Sequence, residues 1–107
     1  MIKKIKEREK GFEAKYQLDE ETAFKVTARR NKLLGLWLAE RLGIVESEVA
    51  NYAGSVVVAD LKEPGDEDVI QKVMGDINER NAKISEDDIR AQLSIFEEEA
   101  REQITAD

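Results

Sequence analysis

Cysteine and histidine are both missing from this chain of 107 residues. Without them the protein has no thiol nucleophile, no disulfide, no imidazole base and none of the usual zinc ligand sets. One proline and six glycines are too few for the many turns of an all-β fold. Aromatic residues make up only 6% of the chain, so its core must be largely aliphatic, and its length suits one small domain.

Long apolar runs are missing as well. No stretch resembles a signal peptide, and none approaches the roughly 18 apolar residues that a membrane-spanning helix requires. We therefore expect a cytoplasmic protein that does not insert into a membrane and that is a monomer when free.

Charge is abundant but unevenly distributed. The net charge is -7, yet residues 1–32 carry +4 and residues 33–107 carry -11. The acidic part excludes nucleic acid as its partner, because phosphate contacts need clustered positive charge. A basic segment ahead of an acidic body indicates an arm with a function of its own.

Residues 1–18 have the features expected of that arm. Ile5, Phe12 and Tyr16 are seven and four residues apart, which places them on one face of a helix. A helix this short and polar is marginal in water, and Gly11 weakens it further. We predict a flexible basic arm over residues 1–18 that becomes helical in the groove of a partner, followed by a body over residues 19–107.

The stretch FKVTARRNKLLGLWLAERLG, residues 24–43, predicts the main helix of the body. Asp19 is its predicted N-cap and Gly43 its left-handed end, so that the helix ends at Leu42. The apolar arc of this helix comprises Val26, Leu33, Trp37, Leu34, Leu38, Phe24 and Leu42. An arc this wide predicts contacts with at least two neighbouring helices, whereas a surface helix needs only a stripe.

A second helix is predicted over about residues 48–62, with Ser47 as its cap. The segment SVVVA within it would suit a strand as well. We favour a helix because the chain offers no second strand to pair with it.

Two more helices complete the predicted body. One starts at Asp66, after a Pro64-Gly65 turn, and ends near residue 80. The other starts after Ser85, which forms a capping box with Asp88. Its predicted buried edge comprises Ile89, Leu93, Phe96, Ala100 and Ile104. The sequence therefore predicts an all-α protein, a four-helix bundle with a flexible basic N-terminal arm.

The clusters of acidic residues do not indicate catalysis. Consecutive acids, as at residues 66–68 and 97–99, point in different directions around a helix, whereas acid–base chemistry needs two carboxylates in contrasting environments. The chain also lacks the spacing of a calcium loop and of a phosphate-binding P-loop. We predict no catalytic residue and no metal ligand.

Two interpretations of the basic residues near position 30 remain open. In one, Arg29, Arg30, Asn31 and Lys32 form a weak phosphate site. In the other, which we favour, Arg30 and Arg41 lie within the apolar arc, run along the edge of the core and pair with acids of neighbouring helices.

Two longer segments resemble a known family. These are REKGFEAKYQLDEETAFKVTARRNKLLGLWLAERLG, residues 8–43, whose most specific part is ARRNKLLGLW, and YAGSVVVADLKEPGDEDVIQKV, residues 52–73. They are similar to the zeta subunits, the inhibitors of the F-type ATP synthase found in alphaproteobacteria. The resemblance covers about residues 8–74.

This resemblance implies a regulatory protein without catalysis, located in the cytoplasm at the ATP synthase on the inner membrane. Its arm would enter the catalytic head between the alpha and beta subunits, near gamma, and block rotation during ATP hydrolysis. The partner contacts that it implies are Arg8, Glu9, Phe12, Glu13, Lys15 and Tyr16, to which the apolar spacing adds Ile5. It also implies weak binding of ADP or ATP, by residues 29–32, and no other cofactor. The alternative is a small adenine-nucleotide-binding regulator without inhibitory activity.

Overall fold

The computed structural model describes residues 19–60 and 65–105. Within these ranges the chain forms four α-helices and no strand: α1 (Glu20–Leu42), α2 (Glu46–Ala59), α3 (Glu67–Glu79) and α4 (Glu86–Thr105). The predicted all-α fold is confirmed, and SVVVA is helical. The predicted arm lies outside the described residues.

Local chemistry sets both ends of α1 as predicted. The Asp19 carboxylate accepts a hydrogen bond from the Thr22 backbone N–H at 2.7 Å, while Glu20 and Glu21 lie at the positive end of the helix dipole. The helix ends at Gly43, whose φ of 72° is left-handed and favours a residue without a Cβ.

The start of α2 corrects a prediction. Val45 occupies the N-cap position and makes no side-chain capping bond, so Ser47 lies inside the first turn and does not cap the helix. Glu46 and Glu48 stabilise this end through the helix dipole instead. The helix also ends earlier than predicted, at Ala59.

The two remaining helix starts differ from each other. Ser85 and Asp88 form the predicted capping box, because each backbone N–H donates to the other residue's side chain at 3.0 Å. Asp66 occupies the predicted N-cap position of α3, but its side chain makes no capping bond. That carboxylate instead binds Arg30.

Helix α1 is the centre of the bundle and packs against both α2 and α4, while α3 packs against the same two helices. The core is aliphatic, as predicted, and its buried cluster consists of Leu34, Leu38, Leu42, Val56, Val69, Ile70, Val73, Ile77, Ile89 and Leu93. Gly35 brings α1 and α2 close together, since a Cβ there would lie 2.6 Å from the Ala53 Cα.

Three side chains of the predicted α1 arc differ from expectation. Phe24 is 56% exposed, because α1 is about 35 Å long and α2 only about 21 Å, so the first turns of α1 extend past α2. Trp37 is only partly buried, and the Arg41 guanidinium lies 4.2 Å from its ring centroid. Among the described residues Arg41 forms an ion pair with Glu40 of its own helix, at 4.0 Å, and with no acid of a neighbouring helix, so the predicted pairing is wrong for this part of the chain.

Candidate functional site

The predicted partner contacts all belong to residues 1–18 and lie outside the described residues. They are Ile5, Arg8, Glu9, Phe12, Glu13, Lys15 and Tyr16. The first described residue after this segment is Asp19. Asp19 has extended backbone angles, φ -69° and ψ 168°, so α1 begins with a break in the helical path.

A buried polar centre lies around Arg30, whose side chain is 7% exposed. Its Nη2 donates to Asp66 Oδ1 at 3.0 Å and its Nη1 to Glu97 Oε1 at 3.5 Å. Its Nε donates to Asn31 Oδ1, also at 3.0 Å. One guanidinium therefore links α1 to the start of α3 and to α4, which confirms the prediction that Arg30 pairs with acids of neighbouring helices.

Three buried polar atoms of the same region have no hydrogen-bond partner among the described residues. They are Asn31 Nδ2, Asp60 Oδ1 and Asp68 Oδ2. Burial raises the pKa of Asp60. Arg30 and Asn31 lower this pKa, whereas Asp66 and Asp68 raise it further. The charged form of Asp60 is thus disfavoured where α2 ends.

The predicted phosphate site does not converge in the structure. Arg30 and Asn31 are buried, and Arg30 is already bound to two carboxylates. Arg29 and Lys32 are exposed and line a separate groove. Binding of an adenine nucleotide by these four residues stays a prediction, and of the four only Arg29 and Lys32 are exposed.

A second polar cluster joins α2 to α3 and was not predicted. The Tyr52 hydroxyl donates to Asp76 Oδ2 at 2.7 Å, and Lys72 Nζ donates to the same oxygen at 2.8 Å. Burial, followed by this contact with Asp76, raises the pKa of Tyr52. A signal existed in the sequence, since a tyrosine on an apolar helix face usually needs a partner for its hydroxyl.

Two kinds of feature are absent from the described ranges. Residues 19–60 and 65–105 contain no group of three or more acidic side chains placed to hold a metal ion. None of the helices in these ranges is long and apolar enough to cross a membrane.

The similarity of this chain to known proteins is not confined to its four helices. The model of a family described as ATPase inhibitor subunit zeta matches residues 2–103. The chain is also similar to a protein whose structure was solved by NMR in solution, with 43% sequence identity and a TM-score of 0.68. The match covers 78% of this chain and 94% of the solved one. No curated protein matches.

The family match includes both the basic segment ahead of Asp19 and the helices that surround Arg30. It also agrees with the all-α bundle of the body, which the solved relative shares. The chain therefore belongs to the ATPase inhibitor subunit zeta family.

Proposed function

We propose that this protein inhibits ATP hydrolysis by an F-type ATP synthase. Residues 1–18 enter the catalytic head as a helix, between the alpha and beta subunits near gamma, and block rotation. The observation that carries the proposal is the extent of the family match, which begins at residue 2 and runs to residue 103. The arm and the body are thus parts of one match to an ATPase inhibitor subunit.

The composition of the arm supports a role in binding. Residues 1–18 carry a net charge of +3, opposite in sign to the rest of the chain. As a helix, this segment presents Ile5, Phe12 and Tyr16 on one side. An amphipathic helix of this kind gains its stability from the groove that receives its apolar side.

The start of α1 supports a separate arm. An N-cap with extended backbone angles, such as Asp19, ends the helical path. A helix formed by residues 1–18 is therefore not a rigid continuation of α1. In the proposed complex, the direction of the arm would therefore be set by the catalytic head and not by α1.

A titration tests the proposal. The full chain is added to the purified catalytic head of the matching ATP synthase while ATP hydrolysis is followed. We expect hydrolysis to fall at saturation, and Phe12→Ala to raise the half-inhibitory concentration at least tenfold, because its ring would fill the receiving groove. The melting temperature should stay within about 1 °C of wild type.

Gln17→Ala is the matched control, since Gln17 lies in the same segment but away from the apolar side. It should inhibit like the wild type. Equal inhibition by Phe12→Ala and wild type would remove the apolar side of the arm from the mechanism. Saturating binding without any loss of hydrolysis would refute the proposal itself.

A further inference from the structure

An open groove lies where three helices meet, at the end of the body that carries the arm. It has a volume of about 440 Å³. Its lining includes Phe24, Lys25, Arg29, Lys32, Val57 and Ile104. We call it the α1 groove, because four of these six residues belong to α1.

The apolar part of the α1 groove is accessible to a partner. Phe24 is 56% exposed, although it lies in a helix whose other large apolar side chains are mostly in the core. Val57 and Ile104 are partly buried and border the same space. An exposed aromatic ring next to partly buried aliphatic side chains is typical of a surface that receives an apolar side chain.

The charge of the α1 groove is opposite to that of the body. Lys25, Arg29 and Lys32 follow one another at spacings of four and three, so they share one face of α1. Lys25 forms an ion pair with the exposed Glu21 at 3.7 Å, a contact of little energy. Arg29 donates to the neutral amide of Gln103 at 2.5 Å. No carboxylate within the described ranges forms an ion pair with Arg29 or Lys32.

We infer that the α1 groove is a second docking surface, which binds an acidic segment carrying an apolar side chain on the ATPase that receives the arm. The inference rests on the proposed function for the identity of the partner. Charge complementarity supports it, since three neighbouring cations on a body (residues 19–107) whose net charge is -10 favour an acidic occupant. The same charges disfavour the chain's own arm, whose net charge is also positive.

The position of the α1 groove supports the same occupant. Phe24 is five residues from Asp19, which is a helical rise of about 7.5 Å. A partner that holds the arm as far as residue 18 is therefore close to the groove. The arm would block rotation, and the groove would add affinity by holding the body against the outside of the same partner.

Binding of the full-length protein to the immobilised catalytic head tests the inference. Lys32→Glu and Phe24→Ala should each raise the dissociation constant about five- to tenfold. The effect of Lys32→Glu should shrink at high salt, because screening weakens exposed charges. Hydrolysis at saturating inhibitor should be blocked as fully as by the wild type, since the arm is unchanged.

Two matched controls separate the groove from general effects. Lys83→Glu makes the same change in net charge at another exposed position, and Ile95→Ala removes an apolar side chain that is 54% exposed on α4. Both should bind like the wild type. Equal dissociation constants for Lys32→Glu and Lys83→Glu would overturn the inference while leaving the role of the arm intact.

Other occupants give distinguishable results. If Lys32→Glu converts a dimer of the free protein into a monomer during sedimentation, with unchanged affinity for the head, a second copy fills the groove and the inference is overturned. If ADP shifts the NMR signals of Phe24 in the wild type but not in Lys32→Glu, and the affinity for the head is unchanged, a nucleotide fills the groove. That result would also overturn the inference. Tight, groove-dependent binding without inhibition would support the inference and refute the proposed function.

Discussion

Gly35→Ala should destabilise the body, although alanine is the better helix former. A Cβ at this position would lie 2.6 Å from the Ala53 Cα, 3.1 Å from its Cβ and 3.3 Å from its carbonyl oxygen. The nearest of these atoms belongs to the backbone of α2, so no side-chain rotation relieves the contact. Helices α1 and α2 would have to separate by about 1 Å to restore ordinary van der Waals distances.

The magnitude follows from two opposing terms. Replacing a helical glycine with alanine favours the helix by about 1 kcal/mol. Overpacking a well-packed interface costs about 1–3 kcal/mol, and more where the backbone must move. Separation of the helices would also loosen the packing of Leu34 and Leu38, which are fully buried on either side of Gly35. We expect a net loss of about 1–3 kcal/mol in the free energy of unfolding.

Two other helical glycines provide matched controls. A Cβ at Gly54 or at Gly75 would meet nothing within 4 Å. Gly54→Ala and Gly75→Ala should therefore stabilise the protein by about 0.5–1 kcal/mol, the helix-propensity term alone. Urea unfolding followed by far-ultraviolet circular dichroism measures all three variants. Stabilisation by Gly35→Ala equal to that of Gly75→Ala would refute the close approach of α1 and α2.

Three further predictions concern the polar clusters. Arg30→Ala should lower the free energy of unfolding in urea by about 2–4 kcal/mol, because it removes a buried guanidinium and two ion pairs. Arg29→Ala, at an exposed position, should lower it by less than about 0.5 kcal/mol. Equal losses would contradict the buried position of Arg30. The pKa of Asp60 is raised in the folded protein, so its charged form is less favourable there than in the unfolded chain. The free energy of unfolding should therefore fall as the pH rises from the unfolded-state pKa of Asp60 through its folded-state pKa. Asp60→Asn should therefore stabilise the protein at pH 7 but no longer at pH 3, which lies below the pKa of an unfolded Asp; a gain that is independent of pH would point to another cause. Tyr52→Phe should cost about 1–2 kcal/mol because its hydroxyl donates to the charged Asp76, and an unchanged unfolding midpoint would mean that water replaces this bond without loss.

Features set by nearby residues could be predicted from the sequence. The ends of α1 follow from Asp19 and Gly43, and the start of α4 from the Ser85–Asp88 pair. Each depends on contacts within about four residues, which sequence spacing specifies directly. The burial of Arg30 also followed, because helical periodicity alone places it inside the apolar arc.

Features that depend on how helices align could not be predicted. The sequence indicated acidic partners for Arg30 but not which acids, since the choice of Asp66 and Glu97 depends on the register of α3 and α4 against α1. The exposure of Phe24 has the same origin, because periodicity gives the direction of a side chain and not the length of the neighbouring helix.

The contact between Trp37 and Arg41 has a consequence for spectroscopy. Trp37 is the single tryptophan of the chain, and it lies 18 residues along α1 from Asp19, a distance of about 27 Å. Its indole contacts both the core and a cation, so its emission should change when the body unfolds. An event confined to residues 1–18 should leave this emission unchanged. The indole can therefore serve as an energy-transfer donor. With an acceptor attached to the arm, the emission of Trp37 would report the distance between the arm and the folded body.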